Sequence, residues 1–179
     1  NISQYLNINF EDYYYENGLS KLCSLYNIEM PNKEKYLKQI NSPYPECIKL
    51  LQDRYYSGCK RSSQFNGNSE DIKFYNDCIE ISRQSICDYL TQSDFKLNIE
   101  KLNHYFKTSQ KEKNYLLCRD HEYFYETIPE KEYTLTEEYT LNPPYIYCKT
   151  LSGNILKILI RFKNGNGIAY PAFQVKLQN

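Results

Sequence analysis

The sequence predicts an α+β fold in which a helical, disulfide-bonded N-terminal half packs on, or is followed by, an antiparallel β-sheet or sandwich in the C-terminal half. Three observations support this prediction. Apolar residues recur at helical spacing up to about Lys107, they alternate with polar residues after about Tyr115, and seven cysteines are spread over the 179 residues. The corresponding regions are a mainly helical, cysteine-containing region at 1–110 and an antiparallel β region at 111–179, with a hairpin at 154–177.

Two short helices are predicted near the N-terminus. The apolar positions that indicate the first are Leu19, Leu22, Cys23 and Tyr26. Pro31 is expected to end this helix, because proline lacks an amide hydrogen and clashes with the preceding turn. The second is predicted at 46–56 and is stopped by Gly58, so that Cys47 and Cys59 flank it at both ends.

Two longer amphipathic helices follow. Residues 68–71 provide capping side chains for the first, predicted at 72–91, whose apolar residues recur at steps of three, four and seven. The second is predicted at 94–107, with Ser93 or Asp94 as its cap. Its inner face would carry Leu97, Lys101 or Leu102, and Tyr105.

After about Tyr115 the apolar residues recur with a period of two, which is typical of strands with one buried face. The alternating positions are Tyr133 and Leu135, Tyr139 and Leu141, Tyr145 and Tyr147, and Phe173, Val175 and Leu177. The sequence Asn-Gly-Asn-Gly at 164–167 predicts a hairpin between 156–162 and 168–177, because Asn-Gly steps readily adopt positive φ. Pro171 has no amide to donate, so its strand is expected to be an edge strand or to be interrupted there.

The cysteines predict disulfide bonds, because no two have the close CxxC spacing of zinc sites and only two histidines occur. They are Cys23, Cys47, Cys59, Cys78, Cys87, Cys118 and Cys148. The pairs considered are Cys23 with Cys47, Cys59 with Cys78, and Cys118 with Cys148; a bridge between Cys87 and Cys118 is the competing scheme. An odd number leaves at least one thiol without a partner in the chain, and that thiol is either a buried small hydrophobe or an intermolecular bridge.

The cysteines, a first residue other than Met and the lack of a hydrophobic leader predict a mature secreted or luminal protein from which a signal peptide has been removed. Asn1 opens an N-glycosylation sequon and is therefore a candidate glycosylation site. No stretch approaches the roughly 18 to 20 apolar residues that span a bilayer. Membrane insertion of the mature chain is therefore not expected.

The charges balance, with 22 Lys and Arg against 22 Asp and Glu. The chain therefore has no net field that would attract nucleic acid, and no nucleic-acid partner is predicted. No GxSxG, P-loop, GxGxxG, HExxH or EF-hand pattern occurs. We accordingly predict no cofactor, no metal and no enzymatic activity.

One segment carries catalytic residue types, and it reads Cys118-Arg119-Asp120-His121-Glu122-Tyr123-Phe124-Tyr125. It resembles the helix motif of secreted phospholipases A2, in which a Cys is followed after two residues by a His next to an acidic calcium ligand. The resemblance implies that His121 is the general base and Glu122 the calcium ligand. The family has Asp where Glu122 stands and a second Cys where Phe124 stands. A phospholipase-like secreted hydrolase using His121 is an alternative function.

We therefore predict a secreted, non-enzymatic structural or interaction protein: a subunit of an extracellular surface, coat or fibre assembly, or a secreted protein-binding ligand. Its partner would be another protein, or a second copy in a homo-oligomer or filament. The predicted interface residues are Tyr13, Tyr14 and Tyr15 near the N-terminus and Phe173, Val175 and Leu177 on the hairpin, whose edge strand can accept or donate a strand. A monomeric module that binds a glycan or receptor through clustered tyrosines is the remaining alternative.

Overall fold

The computed structural model describes residues 2–110, 115–119, 122–126, 128–163 and 168–178; for residue 110 and for the described residues between 115 and 126 it gives the backbone alone. Helices come first and antiparallel strands follow, which confirms the predicted α+β class. The helices are α1 Phe10–Tyr14, α2 Ser20–Leu25, α3 Lys33–Gln39, α4 Lys49–Gly58, α5 Ser69–Leu90 and α6 Ile99–Gln110. The strands are β1 Tyr115–Arg119, β2 Glu122–Glu126, β3 Leu135–Asn142, β4 Tyr145–Thr150, β5 Ile155–Phe162 and β6 Pro171–Gln178.

Shorter helical turns connect these elements. Three are 3₁₀ turns, at Ile2–Tyr5, Glu46–Ile48 and Glu130–Glu132, and Tyr15–Leu19 forms a π-helical turn between α1 and α2. None of the helices in the described parts of the chain is both long and apolar enough to cross a membrane.

The long helix α5 forms where its periodicity predicts it. The Asn68 side chain caps it by accepting a hydrogen bond from the Asp71 amide at 2.7 Å. The buried side chains of α5 recur at helical spacing and include Phe74, Cys78, Ile86, Tyr89 and Leu90. Its buried face is therefore the one that the sequence pattern indicates.

The start of α6 differs from the prediction. Asn98, and not Ser93 or Asp94, caps the helix through a hydrogen bond from the Lys101 amide to its side chain at 3.0 Å. Leu97 forms a β-bridge with Leu6, which holds this part of the chain extended. A contact with a distant segment thus overrides the local capping signal.

The helices around α2 and α4 also differ in detail. α2 ends before Asn27, whose φ of 50° is left-handed, and it does not continue to Pro31. Cys47 and Cys59 lie at the two ends of the α4 region as expected, although a 3₁₀ turn replaces the first residues of the predicted helix.

The main sheet has the antiparallel order β3-β4-β5-β6, and β1 and β2 form a separate two-stranded hairpin. β6 is an edge strand that begins at Pro171, as proline chemistry predicts. The β5–β6 pairing runs from Ile155 opposite Gln178 to Phe162 opposite Pro171. The Asn-Gly steps at 164–167 lie outside the described residues.

Helices and sheet share one hydrophobic core. The Phe162 ring lies 4.5 Å from the Tyr14 ring and 6.1 Å from the Phe10 ring, centroid to centroid. The Tyr36 hydroxyl donates to the Ile168 carbonyl at 3.1 Å, both groups being buried. Secondary structure changes type after residue 110, but the core is continuous across that boundary.

The predicted disulfide framework is not observed. Cys23, Cys47, Cys59, Cys78, Cys87 and Cys148, the cysteines whose side chains are described, are all unbridged. Three of them, Cys23, Cys78 and Cys148, are buried, and burial raises the pKa of each thiol, that of Cys148 to about 12. These three act as core hydrophobes. The Cys118 side chain lies outside the described part.

Candidate functional site

A cleft of about 1030 Å³ runs along β6, and we call it the β6 groove. Its floor is formed by Leu156, Phe173, Val175 and Leu177 of the two last strands. Its wall is formed by Ile2 and Tyr5 of the N-terminal 3₁₀ turn and by Tyr105 and Phe106 of α6. The groove therefore lies between an edge strand and a helix.

Strand register explains why the floor is apolar. Phe173, Val175 and Leu177 lie directly opposite Ile160, Ile158 and Leu156, which are buried on the face that packs against the helices. Directly opposed residues of an antiparallel pair project from the same face. Val175 and Leu177 nevertheless remain 39% and 42% exposed, so the helices leave this end of the apolar face uncovered.

The wall is held in place by contacts between distant segments. The Asn98 amide donates to the Tyr5 carbonyl at 2.8 Å, which fixes the N-terminal turn beside the start of α6. The Tyr5 ring lies 5.5 Å from the Tyr105 ring and 5.8 Å from the Phe173 ring, centroid to centroid. Burial raises the pKa of the Tyr5 hydroxyl, with a further contribution from Tyr105, so this hydroxyl stays neutral.

The backbone of β6 presents free hydrogen-bonding groups along the groove. Just beyond the last β5–β6 pair, the Lys163 amide donates to the Tyr170 carbonyl at 2.8 Å, which marks this position as a hydrogen-bonded one in the pairing of the two strands. Because hydrogen-bonded and non-hydrogen-bonded pairs alternate, the N–H and C=O groups of Phe173, Val175 and Leu177 point away from β5. No hydrogen bond from another described residue reaches them.

The charged residues of the groove are separated. Arg161 and Lys163 lie near its Pro171 end, and neither forms an ion pair within the described part of the chain. Glu132 lies near the opposite end, where its carboxylate accepts hydrogen bonds from Ser152 and Asn154. One end of the groove is thus cationic, while the other carries a carboxylate.

Of the predicted interface residues, the structure brings Phe173, Val175 and Leu177 together in this groove. The tyrosine cluster lies elsewhere. Tyr14 is fully buried and is a core residue, so its assignment to an interface is wrong. Tyr13 and Tyr15 are partly buried, with their rings packed 5.3 Å from Tyr89 and Tyr36 respectively.

The segment that resembles the phospholipase motif does not form a helix in its described part. Asp120 and His121 lie outside the described residues, and the residues on either side belong to the β1–β2 hairpin, with Cys118 opposite Tyr123 and Arg119 opposite Glu122. The family's motif lies on a helix, so the resemblance does not extend to the local fold. Asn1, the candidate glycosylation site, is also outside the described part.

The described residues contain no group of three or more His, Cys, Asp or Glu side chains placed to hold a metal ion. The other histidine, His104, is exposed on α6.

Sequence reasoning missed the wall of the groove. Ile2, Tyr5 and Ile128 line it although they come from segments far from β6 in the chain, and no local pattern connects them. Tyr105 was expected on the inner face of its helix, but it is 49% exposed at the groove. The alternation of apolar residues along β6 was the sequence signal that could indicate the groove, and it identified only the residues of the floor.

No protein-family model matches the chain, and no curated protein sequence or solved structure matches it either. The groove and the edge strand beside it are therefore the basis for assigning a function.

Proposed function

We propose that this chain is a non-enzymatic protein-interaction module that binds an extended polypeptide segment by adding it as a strand to β6. The observation that carries the proposal is the combination found at Phe173, Val175 and Leu177. Val175 and Leu177 have exposed apolar side chains, Phe173 is partly buried beside them, and all three present unpaired backbone groups along one edge. In strand addition, main-chain hydrogen bonds provide affinity and pockets for alternate side chains provide specificity.

The groove favours a particular kind of segment. Residues of the added strand that lie opposite Phe173, Val175 and Leu177 would direct their side chains into the groove, because directly opposed residues share a face. The rings of Tyr5 and Phe106 line that space, so apolar side chains at alternate positions fit it. Polar side chains at the intervening positions would project to the outer face of the sheet.

Val175→Pro tests this proposal directly. Proline at 175 removes the N–H that points to the free edge, while the β5–β6 hydrogen bonds come from the neighbouring residues and remain. Val175→Thr is the matched control, because it keeps the N–H and nearly the same shape. We would pan a library of random displayed peptides against the wild-type protein and measure binding of the selected peptides to both variants.

We expect peptides that bind the wild type and Val175→Thr but not Val175→Pro. If selected peptides bind all three proteins equally, or if no polypeptide strand of any source pairs with β6, the proposal is overturned. A ligand such as a glycan that binds in the same groove would still bind Val175→Pro, because contacts to a sugar do not need the edge amide. The proline variant therefore distinguishes strand addition from glycan binding.

Secretion, glycosylation and disulfide bonding rest on the sequence alone, chiefly on the number and spread of the seven cysteines. Alkylation of the denatured chain without reductant, followed by mass spectrometry, tests the disulfide proposal. Three internal bridges would leave a single thiol to react, whereas a chain without bridges, as in the described structure, would alkylate at every cysteine. Strand addition at β6 does not depend on the outcome.

A further inference from the structure

We infer that the strand added to β6 is β6 of a second copy of this chain, so that two copies form a twofold-symmetric dimer with one continuous sheet. This inference rests on the function proposed above and specifies its partner. It depends on the hydrogen-bonding register, the side chains and the charges of β6, which are all self-complementary.

The backbone favours one symmetric register. The outward-facing residues are Phe173, Val175 and Leu177, so an antiparallel pairing places Val175 opposite Val175 of the second copy and Phe173 opposite Leu177 of the second copy. Each such pair forms two hydrogen bonds. A shift by one pair towards the start of β6 would bring in Pro171, which has no N–H and therefore forms only one of the two hydrogen bonds of its pair. In the register centred on Val175, every paired residue both donates and accepts, which favours it over the shifted one.

The side chains fit the same register. Phe173, Val175 and Leu177 of each copy would lie on the helix-facing side of the joined sheet and would enter the groove of the other copy. On the outer face, Gln174 would lie opposite Lys176 of the second copy. No like charges would therefore be directly opposed, which removes the usual repulsion between paired edge strands.

The charges at the two ends of the groove are also complementary. Antiparallel pairing brings the Pro171 end of one copy, with Arg161 and Lys163, towards the Gln178 end of the other, with Glu132. A stable interface buries about 1,200 to 2,000 Å² in total, which is more than two edge strands alone provide. We therefore expect Tyr105 and Ile128, which are 49% and 36% exposed at the groove, to be covered as well.

The experiment has two parts. Sedimentation velocity over a range of concentrations would be measured for the wild type, Val175→Thr and Val175→Pro, with far-UV circular dichroism to confirm folding. We expect dimers for the wild type and Val175→Thr, and monomers for a folded Val175→Pro. A wild type that is monomeric at every concentration overturns the inference, and so does a dimer that Val175→Pro leaves intact.

A cysteine pair tests the register without depending on the folding of the proline variant. Residues opposed in a hydrogen-bonded pair have Cα atoms about 5.5 Å apart, which suits a disulfide bond. Val175→Cys should therefore form a covalent dimer under mild oxidation, whereas Gln174→Cys should crosslink no more than the wild type, because it faces Lys176 of the second copy. Equal crosslinking by both variants contradicts the register.

The two experiments together distinguish the inference from the proposed function. If selected peptides bind β6 while the wild type is monomeric, the inference fails and the proposed function stands. If neither peptides nor a second copy bind, both fail.

Discussion

Asn103 pairs with the backbone of Leu135 through both halves of its side-chain amide. Its Oδ1 accepts a hydrogen bond from the Leu135 N–H at 2.7 Å, and its Nδ2 donates to the Leu135 carbonyl at 3.0 Å. A side chain of α6 thereby satisfies the first residue of β3, the edge strand opposite β6. The outward backbone groups of Phe173, Val175 and Leu177 have no such partner among the described residues. Because β3 is satisfied in this way only at its first residue, the feature that distinguishes β6 as the edge available for a partner is the apolar groove beside it.

Asn103→Ala should destabilise the protein. The substitution removes both hydrogen bonds and leaves the N–H and C=O groups of a buried residue, Leu135, without partners. We expect the free energy of unfolding to fall by about 1 to 3 kcal/mol, measured by urea denaturation. Asn76→Ala, at an exposed position of α5, is the control and should change stability very little. Equal effects of the two substitutions would show that the Asn103 bonds do not stabilise the fold.

Phe162→Ala should destabilise helices and sheet together. Phe162 is a buried residue of β5 whose ring packs against Tyr14 and Phe10 of α1. Truncation of a buried Phe costs about 3 to 5 kcal/mol. Because the core is shared, circular dichroism and tyrosine fluorescence should still report one coincident unfolding transition. Two separate transitions, or an effect as small as that of the exposed Leu151→Ala, would contradict a common core.

Gly58→Ala and Gly153→Ala test two different reasons why a position requires glycine: lack of space for a side chain and a left-handed backbone. A Cβ at Gly58 would lie 1.9 Å from the Asp71 carbonyl oxygen, so α4 and α5 would have to move apart. A Cβ at Gly153 would meet nothing within 4 Å, but its φ of 87° is left-handed. We expect a loss of roughly 3 kcal/mol for the first and about 1 kcal/mol for the second. A larger loss at Gly153 in urea denaturation would contradict this order.

Elements with a strong local pattern could be predicted from the sequence. α5 has a capping residue and a long apolar stripe, and the β5–β6 pair has alternating apolar residues on both sides of Asn-Gly steps. α3 was not predicted, because Tyr36 is its only buried residue and no stripe forms. The start of α6 was misplaced, because the bridge between Leu6 and Leu97 depends on a contact that local spacing does not encode.

The candidate site could be predicted only in part, for a similar reason. Alternation shows which residues of β6 share a face, so Phe173, Val175 and Leu177 were recognised together. The opposite wall comes from Tyr5 and Ile128, which reach the groove only through the tertiary fold. The tyrosine-rich segment misled the prediction, because the composition of 13–15 does not distinguish a core helix from a contact surface. Cysteine number likewise does not distinguish a disulfide framework from the buried, unbridged thiols found here.

Glu11 should make stability depend on pH. Its carboxylate oxygens are buried without a hydrogen-bond partner in the described structure, and the residue is 2% exposed. Burial raises the pKa of Glu11 above its usual 4.5, and nearby backbone N–H groups, first its own and then those of Ser3 and Ile2, offset this only in part. The folded state therefore holds this proton more tightly than the unfolded state does. The resulting stabilisation is fully present below about pH 4.5 and is lost as pH rises through the folded-state pKa.

Glu11→Gln removes the ionisable group while nearly preserving shape, so it should be more stable than the wild type at neutral pH by about 1 kcal/mol, the lower end of the cost of an unsatisfied buried polar group. The advantage should shrink as pH falls towards 4.5, because the wild-type side chain then becomes neutral as well. Urea denaturation of both proteins at several pH values measures this difference. Glu29→Gln, at an exposed position, is the control and should show no such trend. An advantage for Glu11→Gln that is constant with pH, or that grows as pH falls, would mean that ionisation of Glu11 does not oppose folding.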